Sequence, residues 1–448
     1  MLRKEVIYML DLAITRCRRV EHDGIFECDI GISNGRVVEI TERGRLSSSK
    51  DTIDAGGRYV LPGVVDTHSH IGLLPGANLP RPQTLEENLL SESLSALYGG
   101  TTSVIDFVIS QGSMVAAVKE QQLLAKQYSK VNTYFHGALM NDLHISEIEA
   151  VIQLGVRSFK IFLPYRGEEA LRLGGLSSLN DGQLMESFKR LHLYGGLPII
   201  HAENPELIDY HMKLNFDASK QDMTAWESTR PGIVEGIAIE KVIYLAKKIG
   251  CSLCIAHVSS KEGVEAIRKE KGRVLLETTP HYLTLTKEAG LGALGKVSPP
   301  IRSKSDQDSL WEYIDEGFPV VIGSDHNPWQ KQHKLDMWEG SAGLPGNSYV
   351  LPLLISEGVY KRNITWEKVV EISSYNAAKQ FGLFPRKGTL NIGADADLVI
   401  VDEDFGQKVD PAKIPSIVDY SPYFDYVFPA WPAVVLRSGI RCNINDSE

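Results

Sequence analysis

Residues 59–73, YVLPGVVDTHSHIGL, carry an apolar run through Val64 and Val65 into Asp66-Thr67-His68-Ser69-His70. In a β-strand, residues two apart project to the same face, so the imidazoles of His68 and His70 can reach one ion. Alone, a His-x-His is as well explained by two surface histidines. Four further stretches repeat the same order of apolar strand, ligand-type residue and loop. They are VRSFKIFLPY at 156–165 with Lys160, GLPIIHAEN at 196–204 with His201, CSLCIAHVSS at 251–260 with His257, and FPVVIGSDHNPW at 318–329 with Asp325. Between them lie helix-like segments such as DGQLMESFKRLHLYG (181–195) and IVEGIAIEKVIYLAKKIG (233–250). Strands alternating with amphipathic helices predict βα units around a parallel sheet. A barrel of such units places its chemistry at the C-terminal ends of the strands, and each of the six residues falls at such an end.

Length and composition fit that expectation. A chain of 448 residues with 43% hydrophobic content is long enough for one large barrel and a smaller domain. A formal net charge of −10 argues against a nucleic-acid or anionic-membrane partner. No apolar run approaches the roughly 20 residues that span a bilayer. The early VIYMLDLAI is interrupted by Asp11 and followed by Arg16, Arg18 and Arg19, which reads as a strand rather than a signal peptide, and a cytoplasmic protein is expected. Five cysteines, an odd number, suggest no disulfide framework. Cys251 and Cys254 form a C-x-x-C inside an apolar run without a second pair, and are read as buried strand cysteines.

The chain divides into three parts. Residues 1–60 are strand-like, with a type I′ hairpin signal at Asn34-Gly35 in DIGISNGRVVEI; residues 61–380 hold the βα alternation; residues 381–448 return to strands in GTLNIGADADLVIVDED and AVVLRSGIRCNI. The fold class expected is α/β, a TIM-like (β/α)8 barrel with a small β-sandwich domain built from both chain ends.

Eight ordered motifs, VLPGVVDTHSH, SFKIFLPY, IIHAEN, IAHVSS, ETTPHYLTL, KVSPPIR, GSDHNP and PRKGTLNIGADADLVIVD, resemble those of the cyclic amidohydrolases. This group of the amidohydrolase superfamily contains hydantoinase, dihydropyrimidinase, allantoinase and dihydroorotase, and the resemblance covers nearly the whole chain. It implies a hydrolase that opens a cyclic amide through a bridging hydroxide shared by two divalent cations, with zinc the first choice for this ligand set. His68, His70 and Asp325 match the ligands of one ion, and His201 and His257 those of the other. Lys160 matches the lysine that carbon dioxide converts to a bridging carbamate, since an ammonium has no lone pair to offer a cation. Taken singly, each of these has an ordinary explanation: a hydrogen-bonded core histidine, a surface lysine, a turn-forming aspartate.

The resemblance also assigns roles. Asp325 is expected to shuttle the proton from the attacking water to the leaving nitrogen, and Tyr165 to bind the substrate and donate to the oxyanion. Ser298 and His281 are the other expected substrate contacts, and His326, next to Asp325, is read as either a supporting or a purely structural residue. Ile71-Gly72-Leu73 follow His70 where dihydroorotases have an arginine for the substrate carboxylate, which disfavours an acidic substrate of that kind. Ala342 falls where the hydantoinase pattern has a substrate-binding asparagine, so the ring contact differs. Allantoinase is the enzymatic alternative, and a non-catalytic scaffold protein the third reading. A homo-oligomer, dimer or tetramer, is expected, and stereochemical preference is assigned to loops 71–82 and 163–176.

Overall fold

A computed structural model describes residues 9–72, 84–166, 170 and 176–442. Eight parallel strands follow one another in chain order around the barrel: β1 (Val64–Ser69), β2 (Thr101–Val108), β3 (Asn132–Ala138), β4 (Ser158–Phe162), β5 (Leu197–His201), β6 (Leu253–Ile255), β7 (Val274–Thr278) and β8 (Val320–Ile322). The loop after β8 meets β1: the Asp325 amide donates to the His68 carbonyl at 2.8 Å and the His70 amide to the His326 carbonyl at 3.0 Å. These two bonds close the barrel. Val65, Ile105, Ile199, Cys254, Leu275 and Val321, from six of the strands, form a buried apolar cluster with Ala377 and Phe381. Because side chains alternate, Ile199 in that cluster and His201 two residues later share a face, so the apolar filling gives way to polar chemistry toward the C-terminal strand ends.

The connecting helices form where the sequence predicts them, for local reasons. The helix Asp181–Tyr194 starts with a capping box between Asn180 and Gln183 and stops at Gly195, whose φ of 72° lets the backbone turn left-handed. The helix Gly232–Ile249 buries Val234, Ala238, Ile239, Val242, Ile243 and Ala246, an i, i+4 stripe, and ends on Lys247, Lys248 and a left-handed Gly250. No helix among the described residues is long and apolar enough to cross a membrane.

Both chain ends build the second, mixed sheet. Its order runs from Ile440–Arg441 through Trp431–Arg437, Leu398–Asp402, Tyr59–Pro62, Leu10–Glu21 and Gly24–Ser33 to Arg36–Thr41, with Ser49–Asp54 alongside Leu10–Glu21. The hairpin at Asn34-Gly35 has both residues at positive φ, 52° and 71°, as a type I′ turn requires. One expectation fails in detail: within GTLNIGADADLVIVDED only Leu398–Asp402 is a strand. Before it, Asp395 and Asp397 bind the buried Lys387 ammonium, and residues 393–396 meet the Gly35–Val37 edge of the sheet through scattered backbone bonds and a single bridge at Asp395. Of the five cysteines, all free, only Cys442 is not fully buried, and Cys254 points into the apolar cluster of the barrel.

Candidate metal centre

His68 and His70 leave the end of β1 on the side facing Asp325. Their Nε2 atoms each lie 3.3 Å from Asp325 Oδ1, and the donor atoms of the three residues sit within 4.8 Å of one another. His68 Nδ1 bonds Glu277 Oε1 at 2.5 Å, which leaves Nε2 to face the cluster. The backbones of Asp325 and His257 are in the left-handed region, at φ 45° and 39°, a conformation that costs non-glycine residues energy and that the surrounding structure must hold.

Lys160, on β4, is 1% exposed, and its Nζ lies 3.3 Å from both His68 Nε2 and His257 Nε2. It therefore stands between the His68–His70–Asp325 group and the pair His201 and His257, whose rings are 4.5 Å apart. His201 Nε2 bonds Glu203 at 2.7 Å, leaving Nδ1 as its available donor. All six expected ligands meet in one buried place.

Electrostatics suit a cation site. Burial pushes His68 and His257 well below the usual imidazole range, with the Lys160 charge acting the same way, so their lone pairs are free of protons. Burial also lowers Lys160, against the pull of Glu277 and Asp325. Desolvation alone would raise Asp325, but its hydrogen bond with His70 and the neighbouring imidazoles hold it below the usual carboxylate range. Neutral imidazoles beside an ionised carboxylate are the donors a divalent transition metal takes.

A shell of buried carboxylates supports these side chains, and sequence reasoning missed it. Glu277, on β7, accepts from His68 Nδ1, from Thr67 Oγ1 at 2.8 Å and from the His257 amide at 3.3 Å. Glu203 pairs with the buried Arg230 at 3.3 Å. Arg302 donates to the Arg230 carbonyl and pairs with Glu235, which in turn accepts from the Ser259 amide and hydroxyl at 2.8 and 2.7 Å, two residues beyond His257. Asp66 accepts from the Ser324 amide at 2.8 Å and ties β1 to the Asp325 loop. The signal was present in IIHAEN, ETTPHYLTL and VVDTH: an acid within or immediately after an apolar strand is buried and must have a partner.

The expected substrate contacts fall unequally around the centre. The Tyr165 ring lies edge-on to His201 at 5.3 Å between centroids. His281 is fully buried, close enough to Asp325 to feel its charge, and neither ring nitrogen has a hydrogen-bond partner among the described residues. Burial lowers it to about 4. Ser298, half-buried before a cis bond to Pro299, makes no hydrogen bond to the imidazole cluster among the described residues. His326 is buried, with Nε2 on Glu92 at 2.9 Å and Nδ1 accepting from the Gly346 amide at 3.2 Å. Of the loops expected to set stereochemistry, residues 73–82, 167–169 and 171–175 lie outside the described residues.

The chain is similar to known proteins over nearly its whole length. Residues 59–440 match the Amidohydrolase family. An L-hydantoinase of Paenarthrobacter aurescens is 34% identical, across 96% of this chain and 94% of that protein. An allantoinase of Rubrobacter xylanophilus is 32% identical, across 87% and 85%. Among solved structures, the L-hydantoinase (dihydropyrimidinase) from Arthrobacter aurescens superimposes with a TM-score of 0.89 at 32% identity, covering 97% of this chain and 96% of that one. The dihydropyrimidinase from Brevibacillus agri NCHU1002 gives 0.87 at 30%, covering 96% and 94%. With the family match spanning the barrel and reaching into both parts of the second sheet, the chain belongs to the amidohydrolase family.

Proposed function

We propose that this protein is a hydrolase that opens a cyclic amide, a hydantoin, dihydropyrimidine or related cyclic ureide, at a centre of two divalent metal ions. The observation that carries the reading is Lys160, buried within 3.3 Å of an imidazole on each side of the cluster. An ammonium there repels cations. As a neutral amine, which burial favours, it can add carbon dioxide and lose a proton to become an anionic carbamate with two oxygens to offer. His68, His70 and Asp325 would then hold one ion, His201 and His257 the other, and carboxylated Lys160 both. Zinc is the first choice for these donors. Such ions supply hydroxide at neutral pH and polarise the ring carbonyl.

The protein's own groups do the rest. Asp325, ionised and beside His281, takes the proton of the attacking water and returns it to the departing ring nitrogen. Tyr165, next to His201, donates to the oxygen that becomes negative as the carbonyl turns tetrahedral. His281, with both nitrogens unengaged among the described residues, is left to meet the substrate, and Ser298 lines the approach. The chain works as a homo-oligomer, dimer or tetramer, in the cytoplasm.

A second reading, allantoinase, rests on Pro280-His281-Tyr282 and Ser324-Asp325-His326, which fit that enzyme as well, while Ala342, whose methyl cannot take the imide contact of the hydantoinase pattern, leaves the ring contact open. A scaffold role is disfavoured because all six ligand positions are filled. The test is a substrate panel with metal-loaded protein. Ring opening of hydantoin or dihydrouracil is expected; opening of allantoin alone would exclude the first reading in favour of the second.

A further inference from the structure

Lys334 is 1% exposed, and among the described residues no carboxylate pairs with it. Its ammonium instead donates to three backbone carbonyls: Lys296 at 2.8 Å, Ser341 at 3.0 Å and Gly343 at 2.7 Å. Burial and the neighbouring Lys296 charge push the Lys334 ammonium well below its usual range, but the cage offers three acceptors and no donor, and only the protonated side chain supplies the three N–H groups they take. A second lysine crosses beside it, Lys296 Nζ donating to the carbonyls of Trp338 at 3.0 Å and Gly340 at 2.6 Å. Irregular backbone whose carbonyls at Lys296, Trp338, Gly340, Ser341 and Gly343 are buried or half-buried is gathered around two side-chain cations.

What the cage joins gives it meaning. One side is the segment Lys296–Val297–Ser298. The other is the loop 341–346, which carries Ala342 and runs along the residues after β8. The Gly343 amide returns to the Lys296 carbonyl at 3.0 Å, the Asn327 amide donates to the Leu344 carbonyl at 2.9 Å, and the Gly346 amide reaches His326 Nδ1 at 3.2 Å. Gly343, at φ 126°, packs so close to Asn327 that a Cβ there would lie 2.5 Å from the asparagine Cβ. The Ser298 segment, the Ala342 loop and Asn327 are thus joined through one set of hydrogen bonds with Lys334 at its hub.

We propose that Lys334 is a positioning residue for substrate fit: a built-in cation that fixes the Ser298 segment against the Ala342 loop and sets the wall that the substrate ring meets. This rests on the cyclic-amide reading of the site. The fixed charge touches none of the six metal-ligand candidates, so its loss acts on substrate binding and leaves metal binding alone. Lys334→Met keeps the length of the side chain and removes the ammonium. With the cage opened, KM for the cyclic amide is expected to rise on the order of tenfold or more, with metal content per chain unchanged.

Amide hydrogen exchange gives a readout that needs no substrate. In the unaltered protein the amides of Asn327 and Gly343 should exchange as slowly as strand amides although they lie in loops; in Lys334→Met their protection should fall at least about tenfold. Loop-like exchange in the unaltered protein, or a soluble Lys334→Met with KM within twofold and unchanged protection, overturns the proposal. Should Lys334→Met not fold, the exchange rates of the unaltered protein decide it. If no cyclic amide is opened at all, the activity reading fails, and the exchange arm still decides whether Lys334 holds these segments together.

Discussion

Replacing Glu203 by Gln tests the buried support beneath His201. Glu203 is fully buried, accepts from His201 Nε2 at 2.7 Å and pairs with Arg230 at 3.3 Å. Desolvation alone would raise its carboxyl, but the Arg230 charge and the His201 hydrogen bond outweigh it and hold the group at about 2, against an ordinary 4.5. A depression of that size corresponds to about 3 kcal/mol of favourable interaction in the folded state. Since the folded value is the lower one, this stabilisation is complete above about pH 4.5 and is lost as pH falls toward 2. Glutamine keeps an oxygen for His201 but removes the negative charge of the buried Glu203–Arg230 pair, and breaking such a pair costs about 3–5 kcal/mol. The assay is urea unfolding of metal-free protein at pH 7 and at pH 3. Glu203→Gln should lose about 3 kcal/mol at pH 7, and the gap to the unaltered protein should narrow at pH 3. In metal titrations one ion should bind about 10–100-fold more weakly, because His201 loses the carboxylate that orients it. A variant within 0.5 kcal/mol, roughly the scatter of surface substitutions, that binds both ions normally would refute the reasoning.

Two other substitutions separate the roles assigned to the centre. Lys160→Ala should lose both bound metal and turnover, with partial recovery on adding short carboxylic acids that stand in for the carbamate; undiminished turnover would remove Lys160 from the bridge. Asp325→Asn should lower kcat far more than it lowers metal content, because an amide cannot carry a proton between water and leaving nitrogen, and unchanged kcat would end that assignment.

The sequence made the barrel and the meeting of six residues legible for a physical reason. Each candidate ligand ends an apolar strand, and parallel strands joined by helices bring their C-terminal ends to one rim. His68, His70, Lys160, His201, His257 and Asp325 could therefore be grouped without any knowledge of distance. The supports could not be. Glu277 sits on β7 and serves His68 from β1 and His257 after β6, a contact that depends on the barrel's closure and leaves no spacing in the chain. Arg302 and Glu235 meet across 67 positions for the same reason. Left-handed backbone at His257 and Asp325 was also hidden, since local preference would place glycine or asparagine there and tertiary contacts override it. Lys334 leaves no signal in the sequence, because its acceptors are backbone carbonyls, which no residue pattern records.

The two backbone bonds that join His68 to Asp325 and His70 to His326 also make the barrel a ring whose clasp is the site itself. The first and last strands meet there, so any ligand gripping His68, His70 and Asp325 together acts as a hoop across the seam. Metal loading should thus raise resistance to unfolding throughout the barrel, and the first opening of the seam should release the metal and end catalysis in the same event. Loss of activity on heating would then report the parting of β1 from β8, well before the helices around them melt.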